Sequence, residues 1–229
     1  MPPFLVNKAA SAIVPASIIR PIRAGTSILN PASGTRGTIG LLLTSDGFDR
    51  WLLSCYHVVC RPYRLGQVVP FGFGEAVFQP DAAAAIAPVA ILAPGLIRPL
   101  PERMLDAAAV RIDGERTVDE ILGLDGIIRV NGVIPPQLGM PVIKSGAMTG
   151  VTHGIVSSVL QFPAGLRVEV DFDPNEADQS FVAPGDSGAV WIDRITGAAV
   201  AMHNGETSSG ASTGTALVTL LPQLGLGTP

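Results

Sequence analysis

The sequence is poor in the side chains that bind metals or form covalent cross-links. Its 229 residues include two cysteines, Cys55 and Cys60, and three histidines. The cysteines do not form a Cys-x-x-Cys pair, and no group of cysteines and histidines has the spacing of metal ligands. We therefore expect no metal and no other cofactor. The low cysteine count favours a reducing compartment, although a chain of this length can build a core without disulfides.

Charge is also scarce. Charged residues make up 15% of the chain, the net charge is −4, and no dense run of lysine and arginine occurs. Nucleic acid is therefore a poor candidate partner. The longest uncharged run, Ala82–Ile97, is too short to span a membrane and contains two prolines, so we expect no membrane partner. Apolar residues make up 47%, which indicates a folded globular chain.

The N-terminal region carries an incomplete export signal. The apolar run Ala9–Ile19 follows Lys8 and has the length of the hydrophobic part of a signal peptide. Pro15 interrupts this run, and Arg20 and Arg23 follow it where the small residues of a cleavage site would stand. The sequence thus favours a cytoplasmic over a secreted protein.

Glycine and proline are abundant, with 26 and 20 residues, which favours many short strands over long helices. The strands predicted in the first half are Gly37–Thr44, Arg50–Tyr56, Gln67–Phe71, Glu75–Phe78, Val89–Leu92 and Leu105–Ile112. Those predicted in the second half are Ile127–Val130, Pro141–Ser145, Val151–Phe162, Leu166–Phe172, Ala189–Ile192, Ala198–His203 and Thr215–Leu220. Asp46-Gly47, between the first two strands, is typical of a hairpin turn.

These strands predict an all-β fold of two antiparallel six-stranded β-barrels packed side by side. Closing a sheet into a barrel removes its exposed edges. We expect an irregular N-terminal arm at residues 1–35, a first barrel at 36–115, and a linker and second barrel at 116–229. The charged, mildly helix-like segment 113–124 is interpreted as the crossover between barrels, and residues 221–223 as the closure of the second one. A site built from both halves would lie in the cleft between them.

Gly185-Asp186-Ser187-Gly188 precedes the apolar run Ala189–Ile192. A serine between glycines can stand on a sharp, exposed turn, because glycine accepts backbone angles that other residues avoid. Such a turn can also aim successive N–H groups at one point, where an oxyanion would be stabilised. The same residue types are common in ordinary surface turns, so the motif needs partners elsewhere in the chain.

Two candidate partners exist. A serine hydroxyl is a weak nucleophile without an adjacent base, and a histidine base needs an acid that orients it. His57 ends one apolar strand and Asp106 opens another, although either could be a structural residue at a strand end. Asp113 and Asp119 lie nearby, but neither is followed by an apolar strand. The order His57, Asp106, Ser187 therefore predicts a nucleophile with its base and acid.

Taken together, these segments resemble the trypsin-like (chymotrypsin-fold) serine peptidases. In that family a strand runs into the histidine, Asp-x-Ala precedes an apolar strand, and Gly-Asp-Ser-Gly carries the serine, in this order. Lys144–Gly150, followed by an apolar strand, is similar to a segment of the bacterial members. The resemblance spans about residues 36–221. Val58-Val59 stand where animal trypsins have a cysteine, so that disulfide is absent.

The resemblance implies a serine endopeptidase that acts on proteins or peptides through an acyl-enzyme intermediate. His57, Asp106 and Ser187 would form the catalytic triad. The backbone N–H groups of Gly185 and Ser187 would form the oxyanion hole, and Asp186 would hold the hole in shape. A non-catalytic binding or scaffolding module on the same fold is the alternative. A regulatory partner protein is left open.

The family also implies where the substrate side chain before the cleaved bond would bind. The base of that pocket lies about six residues before the serine, where Phe181 or Ser180 falls and no carboxylate is present. The strand after the serine forms a wall and carries His203, which resembles a histidine of bacterial glutamyl endopeptidases but could merely fill the strand. We expect little cleavage after lysine or arginine and a preference for small, apolar or acidic residues.

Activation of animal relatives requires a new N-terminus that inserts beside the acid preceding the serine. The chain lacks an Ile- or Val-Gly-Gly-type sequence, and Ala12–Pro15 is a poor match. We therefore predict that Asp186 is held by other groups and that the uncut chain is competent.

Overall fold

The fold is known from a computed structural model, which describes residues 18–45, 49–62, 69–80, 88–101, 104–112, 114, 117–124, 130–176 and 180–228. In the first half the strands are β1 (Ile22–Ala24), β2 (Ser27–Asn30), β3 (Thr35–Thr38), β4 (Leu41–Thr44), β5 (Arg50–Ser54), β6 (Ala76–Val77), β7 (Ala90–Ile91), β8 (Ile97–Leu100), β9 (Ala107–Arg111) and β10 (Thr117–Ile121). In the second half they are β11 (Pro141–Gly146), β12 (Gly150–Phe162), β13 (Gly165–Phe172), β14 (Val190–Asp193), β15 (Ala199–Glu206) and β16 (Ser212–Ala216). Helix α1 (Tyr56–Val59) follows β5, and helix α2 (Leu217–Leu224) follows β16. The predicted all-β class is confirmed.

The second half is a closed antiparallel barrel in the strand order β11-β12-β13-β16-β15-β14. Alternating side chains point inward, as expected for strands with one wet face. In β13, for example, Val168 and Val170 are buried while Arg167 and Glu169 are only partly covered. Trp191 of β14 is fully buried in the same core. The predicted six-stranded barrel of this half is confirmed.

The first half is built from several smaller sheets around one core. A four-stranded sheet has the order β4-β5-β9-β8, and the pairs β1-β10, β2-β3 and β6-β7 lie around it. Leu52 of β5 and Val110 of β9 face each other in the sheet and are fully buried. Among the described residues of this half, hydrogen bonding does not join the sheets into one closed ring.

Several segments differ from the sequence-based expectations. Residues 22–30, expected to be irregular, contain β1 and β2, and β1 pairs in parallel with β10. Segment 117–121, expected to be helix-like, is strand β10. Its charges misled the prediction, because Asp119 and Glu120 pair with arginines that are distant in sequence, Arg50 at 3.2 Å and Arg23 at 3.6 Å. Strand β8 was missed because it contains a proline, which an edge strand tolerates.

The C-terminal region was predicted as a strand continuing to Leu220, followed by a segment at 221–223 that closes the second barrel. Instead β16 ends at Ala216, and residues 217–224 form helix α2. The leucines of this segment recur at helical spacing and are buried on one face: Leu217, Leu220, Leu221 and Leu224. The helix packs back on the first half, where Nη1 of Arg98 donates to the carbonyl oxygens of Leu224 and Gly225, each at 2.7 Å.

Some predictions fall partly or wholly outside the described residues. The Asp46-Gly47 turn does, and so do residues 67–68 and 127–129 of two predicted strands. The described remainders of those strands, 69–71 and 130, are not strands. Within the described part of the chain, no helix is long and apolar enough to cross a membrane.

Candidate active site

His57 lies on α1, a single helical turn that continues from β5. Side chains of the hairpin formed by β2 and β3 hold the end of this helical turn. Nδ2 of Asn30 donates to the carbonyl oxygen of Val59 at 2.7 Å, and Oγ of Ser33 donates to that of Val58 at 2.7 Å. Because the last carbonyls of a helix lack partners within it, these two bonds fix the turn that carries the histidine.

The carboxylate of Asp106 contacts His57 at two points. Its Oδ2 lies 2.6 Å from Nδ1 of His57, and its Oδ1 accepts a hydrogen bond of 3.1 Å from the backbone N–H of His57. The backbone N–H of Tyr56 donates to the carbonyl oxygen of Asp106 at 3.1 Å. Asp106 has φ of 35°, which is uncommon for a residue other than glycine and often marks a functional position. The sequence-predicted base and acid are thus in contact, with side-chain exposures of 37% and 19%.

Ser187 lies between β13 and β14, within residues 184–188, which we call the oxyanion loop after the role that the sequence predicts for it. Strand β3 lies between this loop and helix α1. A Cβ atom on Gly37 of β3 would collide with Val58 of the helix and lie 2.8 Å from the carbonyl oxygen of Ser187. The Ser187 hydroxyl makes no hydrogen bond with His57 in the described part of the chain. Such catalytic bonds commonly tighten only when substrate is bound.

The oxyanion loop presents free N–H groups. Within the described residues, the backbone N–H groups of Gly185 and Ser187 donate to no protein acceptor. The neighbouring N–H groups do have acceptors. The N–H of Asp186 donates to the carbonyl oxygen of Ala183 at 3.0 Å, and the N–H of Gly188 donates to that of His203 at 2.8 Å. Gly185 has φ of 108°, which a side chain would strain. Two N–H donors without protein acceptors, on residues two positions apart, are suited to the stabilisation of a developing oxyanion.

Asp186 is buried in an ion pair with Lys144. Nζ of Lys144 lies 2.8 Å from Oδ2 of Asp186, and both side chains are 0% exposed. Thr149 Oγ1 donates to Oδ2 at 2.6 Å, and the N–H groups of Met148 and Thr149 donate to Oδ1 at 3.0 and 3.1 Å. Burial acts to raise the pKa of Asp186, but the attraction of Lys144 and these hydrogen bonds outweigh it and hold the pKa below its usual value.

The prediction that Asp186 is held by groups other than a new N-terminus is therefore confirmed. Lys144, in the segment Lys144–Gly150 that resembles the bacterial members, was not predicted as the partner of Asp186. The available signal was a lysine inside an otherwise apolar strand, since a fully buried lysine is rare unless it is paired.

Solved bacterial proteases share this architecture. Protease A of Thermobifida fusca has 19% sequence identity and a TM-score of 0.63, over 90% of this chain and 97% of that one. The chymotrypsin of Cellulomonas bogoriensis has 16% identity and a TM-score of 0.59, over 91% and 98%. The chain has the chymotrypsin fold. The predicted likeness to the bacterial proteases of this fold is confirmed.

A third similar structure is a glutamic acid specific serine protease described as using a histidine triad in substrate binding. It has 16% identity and a TM-score of 0.65, over 91% of this chain and 100% of that one. No family model matches the sequence, and no curated protein matches it.

In this chymotrypsin fold the two predicted pocket residues both lie near Trp191. The ring of Phe181 is 5.5 Å from the ring of Trp191 and 6.0 Å from that of Phe172. Nδ1 of His203 is 2.8 Å from Oγ of Ser212, which accepts a hydrogen bond of 3.0 Å from Nε1 of Trp191. Trp191 and Ser212 were not predicted as neighbours of His203. The three residues lie on different strands, and no pattern within one segment of the sequence indicates that they meet.

The environment of His203 keeps its ring neutral. The side chain is buried, with 3% of the residue exposed. Burial, followed by repulsion from Lys144, lowers the pKa of His203 to about 3. His203 therefore acts at neutral pH as a hydrogen-bonding group and not as a cation.

One group of side chains has the arrangement of metal ligands among the described residues. The ligand atoms of Cys55, His57 and Asp106 lie within 4.8 Å of one another. Burial, with the nearby charge of Asp106, raises the pKa of the Cys55 thiol well above its ordinary value, and the thiol donates to the carbonyl oxygen of His203 at 3.3 Å. A protonated thiol is a poor metal ligand, and His57 and Asp106 already bind each other, so the chemistry of this group does not favour a metal.

Proposed function

We propose that the protein is a serine endopeptidase that cleaves peptide bonds through an acyl-enzyme intermediate. The observation that carries the proposal is the 2.6 Å contact between Nδ1 of His57 and Oδ2 of Asp106. Gly37 of β3 lies between the helix of this histidine and the loop of Ser187, because a Cβ atom on it would meet Val58 and the carbonyl oxygen of Ser187. The chymotrypsin fold supports it, because solved structures similar to this chain are proteases. The free N–H groups of the oxyanion loop favour an enzyme over a scaffolding module on the same fold.

In this mechanism His57 accepts the proton of Ser187 Oγ while the oxygen attacks the carbonyl carbon of the substrate. Asp106 accepts the hydrogen bond of Nδ1–H, which leaves the lone pair of Nε2 available to the serine and stabilises the imidazolium. The N–H groups of Gly185 and Ser187 stabilise the oxyanion. His57 then protonates the leaving amine, and a water molecule attacks the ester by the same steps and releases the acyl group.

The side chain before the cleaved bond would bind near Phe181 and His203. Phe181 is apolar, and its ring packs against the rings of Phe172 and Trp191, which carry no carboxylate that could neutralise a lysine or arginine. His203 is neutral but can form a hydrogen bond with an oxygen of the substrate. We therefore expect small, apolar or acidic residues at this position. Profiling with a mixed peptide library tests this, and dominant cleavage after lysine or arginine would contradict it.

Labelling with a fluorophosphonate probe tests the activity itself. The probe should label the wild-type protein, and Ser187→Ala should abolish labelling and lower kcat by about 10⁶-fold, as in the best-studied serine proteases. Ser208→Ala, which alters an exposed serine of another loop, is the matched control and should keep both. A wild-type protein that neither labels nor cleaves peptides would leave the binding or scaffolding module as the function.

A further inference from the structure

Thr38 joins the two halves of the molecule at the oxyanion loop. It ends β3 and is fully buried. Its N–H donates to the carbonyl oxygen of Ser187 at 2.8 Å, and its hydroxyl donates to that of Gly185 at 2.8 Å. The same hydroxyl accepts a hydrogen bond of 3.0 Å from the N–H of Ala147, and Oγ of Ser54 donates to the carbonyl oxygen of Thr38 at 2.8 Å. Every polar group of this residue is therefore engaged.

Two of these bonds reach the carbonyl groups on either side of Asp186. A peptide unit is planar, so a carbonyl that is held fixes the orientation of the whole unit. The hydroxyl of Thr38 thus fixes the unit after Gly185, which contains the N–H of Asp186, and its N–H fixes the unit after Ser187, which contains the N–H of Gly188. The N–H of Ser187 belongs to the unit between these two, and the N–H of Gly185 to the unit just before the first. Both proposed donors therefore adjoin a peptide unit that Thr38 holds. Gly185 would otherwise rotate with little steric restraint, because glycine populates positive and negative φ with similar ease.

The contact is separate from the ion pair of Lys144 and Asp186. That pair lies within the second half and holds the side chain of Asp186. Thr38 belongs to the first half, which also carries His57 and Asp106, and it holds the backbone of the loop. The N–H of Ala147 connects the hydroxyl to the segment that contributes Lys144. Thr38 therefore fixes the position of the oxyanion loop relative to the half that carries His57 and Asp106.

We propose that Thr38 is a positioning residue that holds the oxyanion loop in the shape required to stabilise the oxyanion. This inference rests on the proposed peptidase function. The hydroxyl acts through the backbone of Gly185 and does not touch the substrate. Valine at this position keeps the shape of threonine but leaves the carbonyl of Gly185 and the N–H of Ala147 without partners, whereas serine keeps the hydroxyl.

The test compares Thr38→Val and Thr38→Ala with Thr38→Ser, each assayed per active site titrated by the fluorophosphonate probe. We expect valine and alanine to lower kcat about 10- to 100-fold with little change in KM, because loss of one oxyanion donor costs about 10²- to 10³-fold and misplacement costs less. Serine should restore kcat to within about threefold of wild type. Inhibition by a peptide aldehyde, whose adduct places an oxygen in the hole, should weaken in parallel with kcat.

Thr152→Val is the matched control, because Thr152 is buried in β12 and its hydroxyl has no hydrogen-bond partner among the described residues. It should leave kcat and aldehyde inhibition unchanged. Wild-type kcat in both hydroxyl-free variants, or a loss that serine does not restore, would overturn the role of Thr38. A wild-type protein that neither labels nor cleaves peptides would instead overturn the proposed function, and this inference with it.

Discussion

The two halves of the molecule hold their functional residues by different means. In the second half six strands close into a ring of main-chain hydrogen bonds, and the buried pair of Lys144 and Asp186 holds the serine loop. In the first half the described sheets do not close into one ring, and side chains such as Asn30 hold the helix that carries His57. The helix that carries the base therefore depends on single hydrogen bonds at its end, whereas the loop that carries the serine depends on a buried charge and on Thr38. Substitutions in each half test this difference.

The largest effect that tests the first half is expected from Asp106→Asn. Oδ1 of the asparagine can keep the bond from the N–H of His57, which turns its NH₂ group toward Nδ1. His57 must then carry its proton on Nε2, where it can no longer accept the proton of Ser187. We expect kcat to fall about 10⁴-fold with the fold retained, because asparagine tolerates a positive φ. Asp119→Asn is the control, and an equal loss in that variant would contradict the assignment of the acid.

In the second half, Lys144→Met should cause the largest loss of stability. It leaves the buried carboxylate of Asp186 without a cation, which costs about 3–5 kcal/mol in the free energy of unfolding. Adding Asp186→Asn should recover part of this loss, because the remaining partners of that side chain are hydrogen-bonding groups. Urea unfolding of the single and double variants measures the coupling. Additive losses would show that the pair does not hold the loop.

The pH dependence of the free energy of unfolding of these variants also tests the pair of Lys144 and Asp186. The pKa of Asp186 is lowered in the folded protein, so the pair stabilises fully above the unfolded carboxyl pKa of about 4 and loses this contribution as pH falls through the lower folded value. In Lys144→Met burial would raise the pKa of Asp186 above its unfolded value. Relative to the wild-type protein, the stability of this variant should then rise as pH falls from about 7 toward about 4, opposite in sign to the contribution of the intact pair.

A smaller effect is expected from Asn30→Ala in the first half. Asn30 is buried, and its loss leaves the carbonyl of Val59 unpaired, which costs about 1–3 kcal/mol in the free energy of unfolding. Because the same bond ends the helical turn that carries His57, kcat should fall as well, with little change in KM. Asn175→Ala, in an exposed loop, should change stability by no more than about 0.5 kcal/mol and leave kcat unaltered. Unchanged kcat in Asn30→Ala would show that the turn is held by other contacts.

Much of the fold and the base–acid contact follow from patterns within short segments. Alternation predicted β13, and an apolar strand that runs toward a histidine predicted β5, although the helical turn α1 that follows it was not predicted. Contacts between distant segments were not predictable in the same way. Lys144 and Asp186 are 42 residues apart, and Thr38 and Gly185 are 147 apart, yet each pair forms one buried contact. Asp119 and Glu120 looked like part of a solvated linker, because the arginines that pair with them lie far away in the sequence.

The effect that is smallest at neutral pH concerns His203, which the second half keeps neutral. Its pKa is about 3 in the folded protein and about 6.5 when unfolded, so the unfolded chain binds a proton between these values and the folded chain does not. The contribution of His203 to stability should therefore be complete above about pH 6.5 and fall as pH decreases, by about 1.4 kcal/mol per pH unit at most. His203→Gln can still bond Ser212 but does not titrate, so it should reduce this slope. A slope that His203→Gln leaves unchanged would mean that another group of the second half carries the proton uptake.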